Sequence, residues 1–165
     1  MNNSLNFIDI VEDHFLLEKE TIEVHINLGL IEEIAGDIFL FFDPNVSLID
    51  RIVEFYQDGP NYFPFRLKSG EITLVRKNSI AYFRFPDQKF RTDKHSATQE
   101  IILRIAGQIS FMNNQPLKGT LIYEKKDMYN RLSDCLNRTI ALIHVETEND
   151  TYLVAHNYIY QVMQT

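Results

Sequence analysis

The chain reads as mainly β with short helices (α+β), built as two tandem ββαββ-like repeats. The repeats are expected to form small antiparallel sheets or open barrels related by pseudo-twofold symmetry. Three observations predict this. Apolar residues alternate with polar ones over several stretches, as in Ile22, Val24, Ile26 and Leu28 around Glu23, His25 and Asn27. A short phrase, apolar-x-Asp-x-apolar, occurs as Leu48/Asp50/Ile52 and again as Leu132/Asp134/Leu136. Strand-like sequence flanks both copies in the same order, the pattern of internal repetition.

The 165 residues fit one ordinary domain or two very small ones. Four parts are expected: an N-terminal helical arm over 1–19, a first β-rich repeat over 20–86, a linker over 87–98, and a second β-rich repeat over 99–165. In the arm, Phe7, Ile10, Val11, His14, Phe15 and Leu17 fall on one helical face. A first strand covers Glu20 to Leu28, and Gly29 to Glu33 turns the chain. A second strand runs from Ile34 to Phe42. Its apolar end, Ile38 to Phe42, predicts a strand covered on both faces, or one covered by the other half of the protein. Asp43-Pro44-Asn45 stops it, since proline donates nothing to a ladder. Ser47 then caps a short helix, with Asp50 at the spacing of a capping box, and Asp58-Gly59-Pro60 ends it.

Phe63, Phe65 and Leu67 alternate as a third strand, and Lys68 to Glu71 make a hairpin turn. The fourth strand runs from Ile72 to Phe85, interrupted at Arg76-Lys77-Asn78-Ser79 by a bulge or tight corner. After the polar linker the order returns. Strands cover Glu100 to Met112 and Leu117 to Tyr123. A helix capped by Asn130 carries Leu132 and Leu136. Strands at Ile140 to Val145 and Tyr152 to Val162 close the chain. Gly36 matches Gly119, Asp50 matches Asp134, and Asn78 and Ile80 match Asn157 and Ile159.

With these residues in view, the chain resembles a small uncharacterised bacterial β-rich domain family. Its members carry a Leu-Ser-Asp-x-Leu-Asn stretch before a Phe-rich strand. Leu132 to Asn137 matches that stretch closely, and Leu48 to Val53 matches it loosely. The resemblance spans about Thr21 to Val162. It implies a tandem duplication of a domain of unknown function, and brings no catalytic residues with it.

Charge is uneven. Residues 1–60 hold thirteen acidic and two basic side chains, while residues 61–94 hold eight basic and three acidic. The net charge of −7 opposes binding to a polyanion. The basic middle is nonetheless the best functional feature of the sequence. Arg66, Lys68, Arg76, Lys77, Arg84, Lys89 and Arg91 are interleaved with Phe65, Tyr82, Phe83, Phe85 and Phe90. They are the candidate partner- or anion-binding residues. Basic and aromatic residues on one sheet bind single strands by charge and stacking. The same alternation arises when Phe fills the core and Arg or Lys faces water.

Asp50 and Asp134 invite an acid/base dyad, but their spacing suits helix capping. The five histidines, His14, His25, His95, His144 and His156, lack His-x-His or His-x-x-x-His spacing. No Gly-x-Ser-x-Gly elbow or Walker lysine loop is present. No cofactor, metal or catalytic set is expected.

Lone Cys135, no apolar run of membrane-spanning length and no signal-peptide pattern lead to an expected cytoplasmic setting. The expected function is a non-catalytic protein-protein interaction or scaffold module in a bacterial cytoplasmic assembly, with a homo-oligomer allowed and no membrane insertion. The alternative is a small-ligand (nucleotide) or single-stranded nucleic-acid-binding regulator using the basic-aromatic 65–94 stretch.

Overall fold

A computed structural model describes residues 19–86, 102–113, 115–124, 131–137 and 141–165. The expected helix of the arm and the expected linker over 87–98 lie outside the described residues; Lys19 already belongs to a strand. The first half contains β1 (Lys19–Leu28), β2 (Glu32–Phe41), α1 (Leu48–Gln57), β3 (Tyr62–Leu67), β4 (Ile72–Arg76) and β5 (Ile80–Phe85). The second contains β6 (Ile102–Phe111), β7 (Pro116–Glu124), α2 (Leu132–Leu136), β8 (Leu142–Glu146), β9 (Thr151–Ala155) and β10 (Ile159–Gln164). The mainly β class with short helices is what the molecule has.

All ten strands join one antiparallel sheet in the order β10-β6-β7-β8-β9-β5-β1-β2-β3-β4. This corrects the expectation of two separate small sheets: the ten strands form a single sheet, which is not closed. A twofold normal to the sheet would make the order symmetric about its centre. Instead the second half lies beside the first in the same sense, head to tail.

The expected fourth and last strands are each two strands. A 3-10 turn at Lys77–Ser79 separates β4 from β5, and another at His156–Tyr158 separates β9 from β10. β4 and β5 lie four strand spacings apart in the order, about 19 Å on a flat sheet. The four residue steps from Arg76 to Ile80 reach at most about 14 Å. The first five strands must therefore curl, and the same reasoning holds from β9 to β10.

Each curled half wraps its own core. In the first, Val24, Ile26, Ile38, Phe65, Phe83 and Phe85 pack with Ile52 of α1. In the second, Ile109, Phe111, Leu121, Ile143 and Val145 pack with Cys135 of α2. The two cores occupy opposite faces of the sheet. On β9, Leu153 and Ala155 join the first core and Val154 the second; on β5, Phe83 joins the first and Tyr82 packs on the second. Alternation along a strand puts such neighbours on opposite faces. The strands covered on both faces are therefore β8 and β9. The apolar end of β2, expected to be doubly covered, is not: Phe41 and Phe42 are exposed. Cations shelter its outer rings instead, with Arg66 over Phe39 and Lys19 over Phe41.

At Gly36 and Gly119 the neighbouring backbone comes too close for a side chain. A Cβ on Gly36 would lie 2.3 Å from the Arg66 carbonyl oxygen and 2.6 Å from the Phe65 ring. A Cβ on Gly119 would lie 2.6 Å from the Glu146 carbonyl oxygen. Backbone on the adjoining strand cannot yield as a flexible side chain can. Gly36→Ala and Gly119→Ala are each expected to cost about 1–3 kcal/mol, as overpacked cores do. A lowered urea midpoint with an unchanged slope checks this.

Candidate functional site

The basic residues singled out from sequence do not form one cationic patch. Arg66, Lys68 and Arg84 project from the face of the first half opposite α1. Each has an acidic partner there. Arg66 Nη2 pairs with Asp37 Oδ2 at 2.9 Å, and Lys68 pairs with Glu23. Arg84 pairs with Glu33, and approaches Asp150 at 3.6 Å. Lys77 is buried in the turn after β4. Its ammonium donates to the Asp58 carbonyl at the end of α1 and sits 4.6 Å from the Phe55 ring centre. Burial lowers its pKa. Arg76 is exposed on β4 and makes no ion pair among the described residues. Lys89 and Arg91 lie outside the described residues.

The densest polar cluster sits where the two halves meet. Arg84 of β5 donates to both Glu33 oxygens and contacts His25 Nδ1 at 2.9 Å. Tyr82 Oη donates to Glu33 Oε2 at 3.1 Å. The Tyr82 ring lies against Tyr152 at 5.4 Å and Phe111 at 5.9 Å, both from the second half. Hydrogen bonding from Arg84 holds the Glu33 carboxyl below its ordinary range. Burial, then the neighbouring Glu33 charge, push the Tyr82 phenol up to about 12. The sequence pattern places Glu33 only in a turn, whereas it stands near the start of β2. Its partners are distant in sequence, so no local pattern marks it.

Asp50 and Asp134 do not share a site. Asp50 N donates to Ser47 Oγ at 3.1 Å, and the Ser47 hydroxyl donates back to its carboxylate at 2.5 Å. The Asp134 carboxylate accepts from the backbone N–H of Arg131, which is the cap residue in place of the expected Asn130. Their helices pack into cores on opposite faces. His144 and His156 are not cross-strand partners, since His144 faces Leu153. Among the described residues no group of three or more His, Cys, Asp or Glu side chains is placed to hold a metal ion. No described helix is long and apolar enough to cross a membrane.

The remaining feature is the pair of sheet edges. Among the described strands, β4 and β10 each have one neighbour. The β3–β4 ladder is bracketed by Leu67 N to Glu71 O and Lys77 N to Asn61 O, both 2.8 Å. Alternation then turns the amides of Ile72, Leu74 and Arg76 outward. On β10, Thr165 N donates to Ala106 O at 3.0 Å, which turns the amides of Val162 and Gln164 outward. Exposed apolar side chains accompany both edges: Ile72 and Leu74 on β4, Tyr160 and Met163 on β10. Sequence patterning missed these edges because alternation shows which face of a strand is buried, not which side is paired.

No protein-family model matches this chain, and no curated protein or solved structure matches it either.

The Glu33 cluster has a signed consequence. A carboxyl whose folded pKa is lowered stabilises the fold above its unfolded value near 4.5, and that stabilisation is lost as pH falls through the folded pKa. Arg84→Met is expected to raise the Glu33 pKa and to weaken the acid dependence of stability. Carboxyl-carbon NMR titration and urea midpoints across acidic pH check both.

Proposed function

We propose that the chain is a non-catalytic interaction module made of two copies of one small β-rich unit, acting in a bacterial cytoplasmic assembly. It binds protein partners by adding strands at its two sheet edges. The observation that carries the reading is the outward row of amides on β4 and β10, each flanked by exposed apolar side chains. An uncovered edge of this kind is a template for another strand. Natural edges are usually blunted by charge or proline. Here β4 carries one charged residue, Arg76, at its end, and β10 carries none.

The register of the ladders supports the duplication. Val24 faces Gly36 as Gly107 faces Gly119. Phe65 faces Thr73 as Val145 faces Tyr152. Ile26 faces Phe83 as Ile109 faces Val162, and in both ladders the register shifts next to the residue after the 3-10 turn's cap, Ala81 and Tyr160. The competing reading, a nucleotide or single-stranded nucleic acid on the basic stretch, has less charge to draw on. Arg66, Lys68 and Arg84 are paired with acids, and Lys77 is buried.

Selection from a library of extended peptides tests the reading. Selected peptides are expected to slow amide exchange at Ile72, Leu74 or Val162, and Leu74→Pro is expected to abolish binding at β4 without unfolding an edge strand. Failure to select any edge-protecting peptide overturns strand addition. Oligonucleotide binding that weakens steeply with salt would instead support the competitor.

A further inference from the structure

We infer that the partner at these edges is a second copy of this chain, with β4 of one molecule pairing to β10 of the next. The inference rests on the strand-addition reading above and names its occupant. Its basis is a junction the chain already contains. Among the described strands, the one ladder that joins the halves within a molecule is that between β9 and β5. β9 precedes the second 3-10 turn as β4 precedes the first, and β5 follows the first as β10 follows the second. The internal junction therefore pairs a pre-turn strand with a post-turn strand. The two free edges are one strand of each kind, at opposite ends of the sheet.

Burial separates the paired strands from the free ones. Leu153 and Thr151 on β9 are 0% exposed, while Leu74 and Ile72, their counterparts on β4, are 60% and 54% exposed. On β5, Phe83 and Ala81 are 0% exposed; on β10, Val162 is half-buried and Tyr160 is 73% exposed. At the internal junction Leu153 reaches across to the first half's core. Leu74 has the same place on its strand but no neighbouring half to reach.

The outward amides also correspond. In the internal ladder Phe83 faces Leu153 and Phe85 faces Thr151. The bond from His156 N to Ala141 O shows that the amides of Thr151, Leu153 and Ala155 point toward β5. Transposed to the free edges, Val162 of the next copy faces Leu74 and its Gln164 faces Ile72. These are the residues whose amides point outward in the single chain. Between them, Met163 faces Thr73 in a pair without mutual hydrogen bonds. The Arg84–Asp150 ion pair of the internal junction has no counterpart, because Met163 stands where Arg84 does. The copy-to-copy junction is accordingly weaker than the internal one. Head-to-tail pairing gives a ring if the rotation between copies closes, and an open chain if it does not.

The test mixes a Thr73→Cys chain with a Met163→Cys chain under mild oxidation; the native Cys135 is buried. Cα atoms of such a pair lie about 4.5 Å apart, within disulfide reach. A disulfide heterodimer is expected. Glu54→Cys on α1, mixed with Met163→Cys, is the control. Sedimentation of the unmodified chain is expected to show mass rising with concentration. Leu74→Lys is expected to weaken that association about tenfold or more by placing a charge in the junction. A chain that stays monomeric and gives no heterodimer above the control overturns the inference. So does cross-linking that is equal at matched and control positions. If selected peptides still protect the β4 amides in that case, strand addition stands and only self-pairing falls.

Discussion

The ladder between β5 and β9 is the constraint on which the rest of the molecule depends. It is four residue pairs long, from Tyr82–Val154 to Phe85–Thr151. It makes one sheet of what would otherwise be two five-stranded pieces. Because neighbouring residues on β9 enter different cores, it also places those cores on opposite faces. Tyr82, Arg84, Glu33 and Asp150 then fasten the ladder from the side. Neither half is complete alone: Leu142, Leu153 and Ala155 of the second half fill the core of the first, and Leu30 and Tyr82 of the first pack against the core of the second.

Much of the local structure was legible in the sequence, since it rests on interactions near in the chain. The β1 alternation of Ile22, Val24 and Ile26 against Glu23 and His25 marks its buried face. Ser47 and Asp50 announce the start of α1 through a side-chain bond spanning three residues. The stop at Arg76 to Ser79 was visible too, but not its meaning. A bulge keeps the strand in its ladder, whereas the 3-10 turn carries the chain to the far side of a curled half. That outcome depends on curvature, which no window of residues encodes.

The candidate site was less legible. Basic residues between aromatic ones looked like a surface for anions, because sequence shows charge without showing what stands opposite. Asp37 is opposite Arg66, Glu23 is beside Lys68, and Glu33 is beside Arg84, at separations of 29, 45 and 51 residues. Lys77 shows a further limit. A lysine in a polar stretch is expected to be solvated, yet here it closes the end of α1 beneath the turn. Double cover falls on β8 and β9 rather than on the apolar end of β2, because it depends on where the two halves meet and not on local apolar richness.

Each half contributes five strands, an odd number, to an antiparallel sheet. Corresponding strands in the two halves therefore run in opposite directions, and the sealed side of the sheet changes from one half to the next. Away from the junction, the side of the first half left unsealed carries charged pairs such as Lys68–Glu23 and Arg66–Asp37 rather than a dry apolar surface. Stacking of one sheet on another, as in cross-β fibrils, needs a flat, dry and continuous face. Among the described residues this sheet has none that spans both halves, since the two cores lie on opposite faces. Pairing at its edges, as proposed, would lengthen the sheet without adding such a face among the described residues.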